Sequence, residues 1–265
     1  MTRALLPLPT ELASRLTAVP LVVLLDVDGT LAPIAATPEA AAVPDDTRAA
    51  VALVAALPDV HVALVSGRGA SDARRMVRVP GIWAIGNHGC EVVAPDGTAT
   101  IDPLIAPFED AMARVHRELS AVLSTVPGVI VEDKRWTLSI HVRQADPGSV
   151  PLVQGEVDRV AAAAGLDVHH GKMVFEVRPP VRVDKGTAIV ALAERLGAQE
   201  GAAVFIGDDR TDEDGFRALR GWFPEAITIR VAPPDGGATD AEFTVADTDD
   251  VRRFLAEIPG YRVGA

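Results

Sequence analysis

The amino-acid sequence predicts an α/β protein, a doubly wound parallel sheet with a smaller α+β domain inserted into it. Three observations carry this. Leu21-Val22-Val23-Leu24-Leu25, Val60-His61-Val62-Ala63-Leu64-Val65 and Ala202-Ala203-Val204-Phe205-Ile206 are short apolar runs that end abruptly in small or charged residues. Runs of this kind suit strands buried on both faces of a parallel sheet. Helix signals alternate with these runs at both ends of the chain, whereas the middle follows another order. In open α/β sheets, ligands bind beyond the carboxyl ends of the strands, so the three runs predict one shared site.

Taken along the chain, Pro44 and Asp45 open a helix predicted over 45–57. Asp184 is placed to cap a helix from about Lys185 to Leu196, and Gly197 to close it. In the middle, Pro107 to Leu123 reads as an amphipathic helix, and Val129 to Val131 and Leu138 to Val142 as strands, with His141 and Arg143 alternating with Ile140 and Val142 so that the two share one face. Val153 to Ala164 reads as a further helix and Met173 to Val177 as a further strand, with His169-His170 taken as a surface turn. This predicts an inserted domain at 106–180, entered near Asp102-Pro103 and left at Pro179-Pro180, within a core formed by 1–105 and 181–265.

Composition narrows the function. The 265 residues are 48% hydrophobic, enough for a packed core, but only 4% aromatic, so aliphatic side chains must fill it. A formal net charge of −12 argues against nucleic acid as a partner. It also repels anions at long range, so any phosphate site must draw on local cations or a metal. Cys90 is the single cysteine, which excludes an intrachain disulfide and suits a reducing compartment. A buried thiol is expected there rather than a nucleophile. Pro7, Pro9, Glu11 and Arg15 interrupt any apolar leader, and the run Leu21 to Leu25 is too short to span a bilayer. The expectation is a cytoplasmic monomer with neither nucleic-acid nor membrane partners.

The strongest chemical signal is Asp26-Val27-Asp28-Gly29-Thr30. Residues two apart in an extended chain share a face, and Gly29 permits a sharp turn. A carboxylate can attack phosphorus and split one hard step into two, while a second carboxyl protonates the leaving alkoxide and then activates water. Asp26 is the expected nucleophile and Asp28 the acid/base. Gly207 to Asp214 holds six charged residues in eight, five of them acidic. So many acids at a strand end call for a cation, and oxygen ligands favour Mg2+. Asp26, the main-chain carbonyl of Asp28, and Asp208 are expected to hold it, with Asp209 and Asp212 binding its waters or orienting those ligands. Ser66 can donate to a phosphate oxygen, and Lys185, at a helix start, can neutralise charge during attack.

These four pieces, in this order, resemble the motifs of the haloacid dehalogenase superfamily of phosphotransferases. The resemblance implies a Rossmann-like catalytic core and makes the insert a cap of the C2 type that governs specificity. Asp26 through Ile34, Ser66-Gly67-Arg68, Asn87-His88-Gly89-Cys90-Glu91 and Gly207 through Asp214 are more narrowly similar to trehalose-phosphate phosphatases. So are Val131-Glu132-Asp133-Lys134 with His141 and Arg143, and Phe175-Glu176-Val177-Arg178-Pro179. Val27 stands where that family often has Tyr, and Arg135 to Leu138 match only loosely. The resemblance implies catalytic roles for Asp26, Asp28, Thr30, Ser66 and Lys185. It implies substrate contacts for Arg68, Asn87, His88, Glu91, Glu132, Lys134, His141, Arg143 and Glu176, with Glu132, Lys134 and Glu176 on sugar hydroxyls.

The reaction so implied is hydrolysis of trehalose 6-phosphate with Mg2+. The alternatives are a sucrose-phosphate or mannosyl-3-phosphoglycerate phosphatase with the same type of cap, and a phosphosugar mutase. A sugar-phosphate sensor without catalysis would be expected to have lost Asp26 or Asp28, and both are present.

Overall fold

The computed structural model describes residues 3–6, 12–35, 37, 40–171, 173–232 and 237–262. The chain divides into two compact units, Met1–Thr100 with Asp184–Ala265, and Ile101–Val183. In chain order, the first stretch runs β1 (Arg3–Ala4), α1 (Leu12–Thr17), β2 (Leu21–Asp26), α2 (Asp45–Ala55), β3 (Val60–Val65), α3 (Ala70–Val77), β4 (Trp83–Gly86), β5 (Glu91–Val93) and β6 (Ala99–Ile101). The insert adds α4 (Glu109–Leu123), β7 (Ile130–Asp133), β8 (Leu138–His141), α5 (Val150–Ala163), β9 (Asp167–Gly171) and β10 (Val174–Arg178). The chain then returns with α6 (Lys185–Arg195), β11 (Ala202–Gly207), α7 (Arg210–Trp222), β12 (Ile227–Val231), β13 (Phe243–Val245) and α8 (Thr248–Arg262).

Among the described residues, the core sheet has the order β1-β13-β12-β11-β2-β3-β4-β5-β6. Every pair from β1 to β4 is parallel, and β4–β5 is antiparallel. The three apolar runs are the adjacent strands β11, β2 and β3. Alternate side chains of a strand face opposite ways, and here both ways are apolar. Leu21, Val23 and Leu25 pack with Val51 and Val54 of α2 and with Phe254 and Leu255 of α8. Val22, Leu24 and Phe205 pack with Ile189 and Leu192 of α6 and Phe216 and Leu219 of α7. Helices therefore cover both faces, as a doubly wound sheet requires.

Local signals set the helix ends nearest the site. Asp184 accepts from the backbone N–H of Thr187 at 2.8 Å, and the Thr187 hydroxyl answers the N–H of Asp184 at 3.1 Å. This reciprocal cap satisfies two donors that have no partner inside the helix. Gly197, just past the last turn, has φ 72°, a left-handed backbone that glycine adopts at least cost.

In the insert, the antiparallel sheet β7-β8-β10-β9 packs one face on α4 and α5. Leu138, Ile140, Phe175 and Val177 meet Val115 and Leu119 of α4 and Val153 and Val157 of α5. Two expectations are corrected here. His169-His170 is not a surface turn but part of β9, paired to β10. As an exposed edge strand, β9 lacks the apolar alternation that marks a half-buried strand. Helix α5 starts at Val150 rather than Val153 because Pro151 in its first turn needs no N–H partner there. Cys90 is buried. Among the described residues, no helix is long and apolar enough to cross a membrane.

Candidate active site

Register brings the first functional groups together. Asp26 ends β2 and pairs with Val65, the last residue of β3, so Ser66 is the next residue along the neighbouring strand. Ile206 of β11 pairs with Leu25, which places Gly207-Asp208 on the other side of Asp26. Asp26, Ser66 and Lys185 are all buried, 4%, 2% and 2% exposed.

Lys185 is the first residue of α6. Its Nζ donates to Asp26 Oδ1 at 2.9 Å and to Asp212 Oδ1 at 2.8 Å, and lies 3.9 Å from Asp209 Oδ1. Asp212 is fully buried, and its Oδ2 accepts from the N–H groups of Asp208 and Asp209 at 3.0 Å each. Asp209 caps α7, its Oδ1 accepting from the N–H of Thr211 at 2.8 Å and of Asp212 at 3.0 Å. The acidic run is thus an ordered cap with one carboxylate turned inward onto the lysine.

Charge states follow from burial and neighbours. Burial pushes Asp26 up to about 7 against the pull of Lys185. Burial, helped by Asp212 and Asp209, likewise takes Asp208 to about 7. For Asp209, burial is outweighed by Lys185 and by hydrogen bonds from Thr211 and Asp212, which hold it at about 2. Burial opposes charge on Lys185, but Asp212, Asp26 and Asp209 together raise it well above the ordinary lysine value.

Asp26 Oδ2 and Asp208 Oδ1 are buried and have no hydrogen-bond partner among the described residues. Buried carboxylate oxygens left this way are costly unless something cationic meets them. Asp26, Asp208 and Asp212 each offer an oxygen, all within 4.8 Å of one another. Hard oxygen donors at this spacing fit a divalent cation such as Mg2+. The buried hydroxyl of Thr30 also has no partner among the described residues.

Gly29 lets these groups approach. Its φ is +87°, and an added Cβ would lie 2.1 Å from Asp208 Oδ2. Gly29→Ala is expected to cost about 1–3 kcal/mol from the backbone alone. It should also displace Asp208, so thermal stability and activity fall together. An unchanged melting midpoint would refute the packing argument.

Of the other expected residues, Asp28 and Arg68 form a two-pronged ion pair, Nε to Oδ2 at 2.6 Å and Nη2 to Oδ1 at 2.7 Å. Arg68 also reaches Asp72 at 3.3 Å. Asp72 carried no signal in the motif reading, and only its position four residues on from Arg68 marks it. Asn87 and His88 both have left-handed backbone, φ 51° and 55°. Their N–H groups donate to the carbonyls of Arg68 and Ser66 at 2.8 and 3.1 Å, folding this loop onto the Ser66 loop. Glu91 Oε1 accepts from the N–H of Ala70 at 2.8 Å and from Asn87 Nδ2 at 3.0 Å, so that oxygen ties the same two loops.

Within the insert, His141 Nε2 lies 2.8 Å and Lys134 Nζ 3.8 Å from Glu132 Oε2, and Glu176 pairs with Arg178. Arg143 departs from expectation. Strand β8 ends at His141, and Arg143 lies in the exposed turn beyond it rather than beside His141 on the strand. Val142 keeps a backbone bond there, its N–H donating to the Met173 carbonyl at 3.0 Å.

The family model described as trehalose-phosphatase matches residues 24–249. An uncharacterized glycosyl hydrolase of Mycobacterium tuberculosis is 40% identical over 241 residues, covering 89% of this chain and 18% of that protein. A trehalose-phosphate phosphatase of Mycobacterium avium is 40% identical over 233 residues, covering 84% of this chain and 58% of that protein. The chain thus spans less than two thirds of the length of these curated relatives. Among solved structures, a trehalose-6-phosphate phosphatase related protein superposes with a TM-score of 0.78 at 26% identity, covering 89% of this chain and 96% of that one. The C-terminal domain of the Candida albicans trehalose-6-phosphate phosphatase shares the fold, with a TM-score of 0.76 at 22% identity and 98% of each chain covered.

Proposed function

Because this chain belongs to the trehalose-phosphatase family, we propose that it hydrolyses trehalose 6-phosphate to trehalose and phosphate through an aspartyl-phosphate intermediate. The observation that carries the chemistry is the buried Asp26, with one oxygen on Lys185 and the other unpartnered. The unpartnered Oδ2 forms a bond to phosphorus as the bond from phosphorus to the sugar oxygen breaks. Protonated Asp28 gives its proton to that oxygen, which leaves as a hydroxyl. In the second step Asp28 takes a proton from water. The water oxygen bonds to phosphorus, the acyl–phosphate bond breaks, and Asp26 returns as carboxylate.

Both oxygens of Asp28 are engaged by Arg68, so proton transfer requires Arg68 to exchange this partner. An anionic substrate oxygen suits its fork. Thr30 and Ser66 supply hydroxyls and Lys185 a fixed positive charge against repulsion between nucleophile and phosphate. Asn87, His88 and Glu91 position the loops that carry Ser66 and Arg68.

The unpartnered oxygen of Asp208, and the convergence of oxygens from Asp26, Asp208 and Asp212 within 4.8 Å of one another, support Mg2+ as the cofactor. Asp26, the main-chain carbonyl of Asp28, and Asp208 would hold it, with Asp209 and Asp212 orienting them. When bound, the ion neutralises phosphoryl charge. The insert serves as the specificity cap, with Glu132, Lys134 and Glu176 on sugar hydroxyls and His141 and Arg143 as further substrate contacts.

A panel of sugar phosphates assayed for phosphate release tests the reading. Trehalose 6-phosphate should be the best substrate, chelation should abolish turnover, and Mg2+ should restore it. A preference of about tenfold for another sugar phosphate, roughly 1.4 kcal/mol of discrimination, would overturn the substrate and leave the chemistry standing. Turnover in 18O-labelled water should place solvent oxygen in the phosphate, and its absence would favour a mutase.

A further inference from the structure

Strand β8 lies between β7 and β10, and its Ser139 is the register partner of Glu132 on one side and of Glu176 on the other. Cross-strand partners share a face, so the three side chains form one row across the inserted sheet. The residues on either side of Ser139 along the strand, Leu138 and Ile140, turn the other way into the apolar core against α4 and α5. Ser139 is 1% exposed, and its Oγ has no hydrogen-bond partner among the described residues. The flanking carboxylates have cations of their own. Glu132 meets His141 and Lys134, and Glu176 meets Arg178. Native proteins keep few buried hydroxyls unpaired, because each loses its bonds to water without replacement. Alanine would fill this position without that cost, so the hydroxyl needs a reason beyond packing.

We propose that Ser139 is a substrate-binding residue whose hydroxyl pairs with a sugar hydroxyl at the middle of the row between Glu132 and Glu176. This rests on the sugar-phosphate reading above and adds a residue that the motif comparison did not single out. Ionised carboxylates only accept hydrogen bonds, whereas a serine hydroxyl both donates and accepts. Acceptors at the ends of the row with a two-way group between them match vicinal sugar hydroxyls, which also do both. A phosphate group offers mainly acceptor oxygens at neutral pH and has little use for the carboxylates at the ends of such a row.

The test is Ser139→Ala in steady-state hydrolysis of trehalose 6-phosphate, with thermal unfolding measured alongside. KM is expected to rise about tenfold, the worth of one neutral hydrogen bond, while kcat falls less than about threefold. The thermal midpoint should not drop, since an unpaired buried hydroxyl is removed. A KM within about twofold of the parent's overturns the proposal, as does a joint loss of kcat and thermal stability at constant KM, which marks a structural hydroxyl. Ser139→Cys keeps the shape with a much weaker donor, so its KM should follow the alanine variant. Recovery of the parent's KM by cysteine overturns the proposal too. If the parent prefers a different sugar phosphate, the trehalose reading fails and Ser139 is judged by KM on that substrate. If the parent hydrolyses no sugar phosphate, both fall.

Discussion

Asp26→Asn is expected to remove turnover, lowering kcat by about four orders of magnitude or more, as loss of a covalent nucleophile does elsewhere. The amide keeps the shape of the carboxylate but cannot form the acyl phosphate. The variant should still fold, because the site disfavours the charge it removes. Burial, against the pull of Lys185, lifts Asp26 to about 7. A carboxyl raised in this way contributes its full stability below its unfolded value near 4 and loses it as pH rises through about 7. In metal-free protein, the thermal midpoint of Asp26→Asn relative to the parent should therefore be higher at pH 8 than at pH 5. Activity within about a hundredfold of the parent would sink the nucleophile assignment. A variant that fails to fold at both pH values would sink the electrostatic account.

Lys185→Met carries the second large effect, and it separates stability from chemistry in the opposite way. The ammonium donates to two buried carboxylates, Asp26 at 2.9 Å and Asp212 at 2.8 Å. Removing it leaves both without their cation, a change that costs about 3–5 kcal/mol when one partner of a buried pair is lost. Loss of a fixed charge beside the reacting phosphate should lower kcat by a further factor of about 10²–10³. Urea unfolding checks the first and single-turnover phosphate release the second. Lys185→Arg should not rescue, because a planar fork does not fit a slot built for a compact charge between two oxygens. A stability change below about 1 kcal/mol would mean that Lys185 is not the counter-ion of this cluster.

The core was legible because its signals are local. The strands β2, β3 and β11 announce themselves by unbroken apolar runs, and Asp184 and Gly197 mark the ends of α6 by cap chemistry. Strand β9 was not legible, because Asp167 to Gly171 is an exposed edge and buries no alternate face. Arg143 looked like a strand neighbour of His141, since spacing by two cannot reveal that β8 has ended. The resemblance implies a substrate contact for Glu91, but not its hydrogen bonds to Ala70 and Asn87. The unpaired hydroxyl of Ser139 left no mark at all. A serine between Leu138 and Ile140 reads as the polar beat of a half-buried strand.

By itself, the sequence determined the doubly wound class, the positions of Asp26 and Asp28 at a strand end, and the acidic start of α7. Each depends on residues within a few positions of one another, where hydrophobic period and capping act. Tertiary structure alone decided which partner each charged group takes. Lys185 reaches Asp26 across 159 residues of chain, and Arg68 grips Asp28 across 40. Such pairings depend on sheet register and on how far burial strips water from a group, and neither quantity is written in any short stretch of the chain.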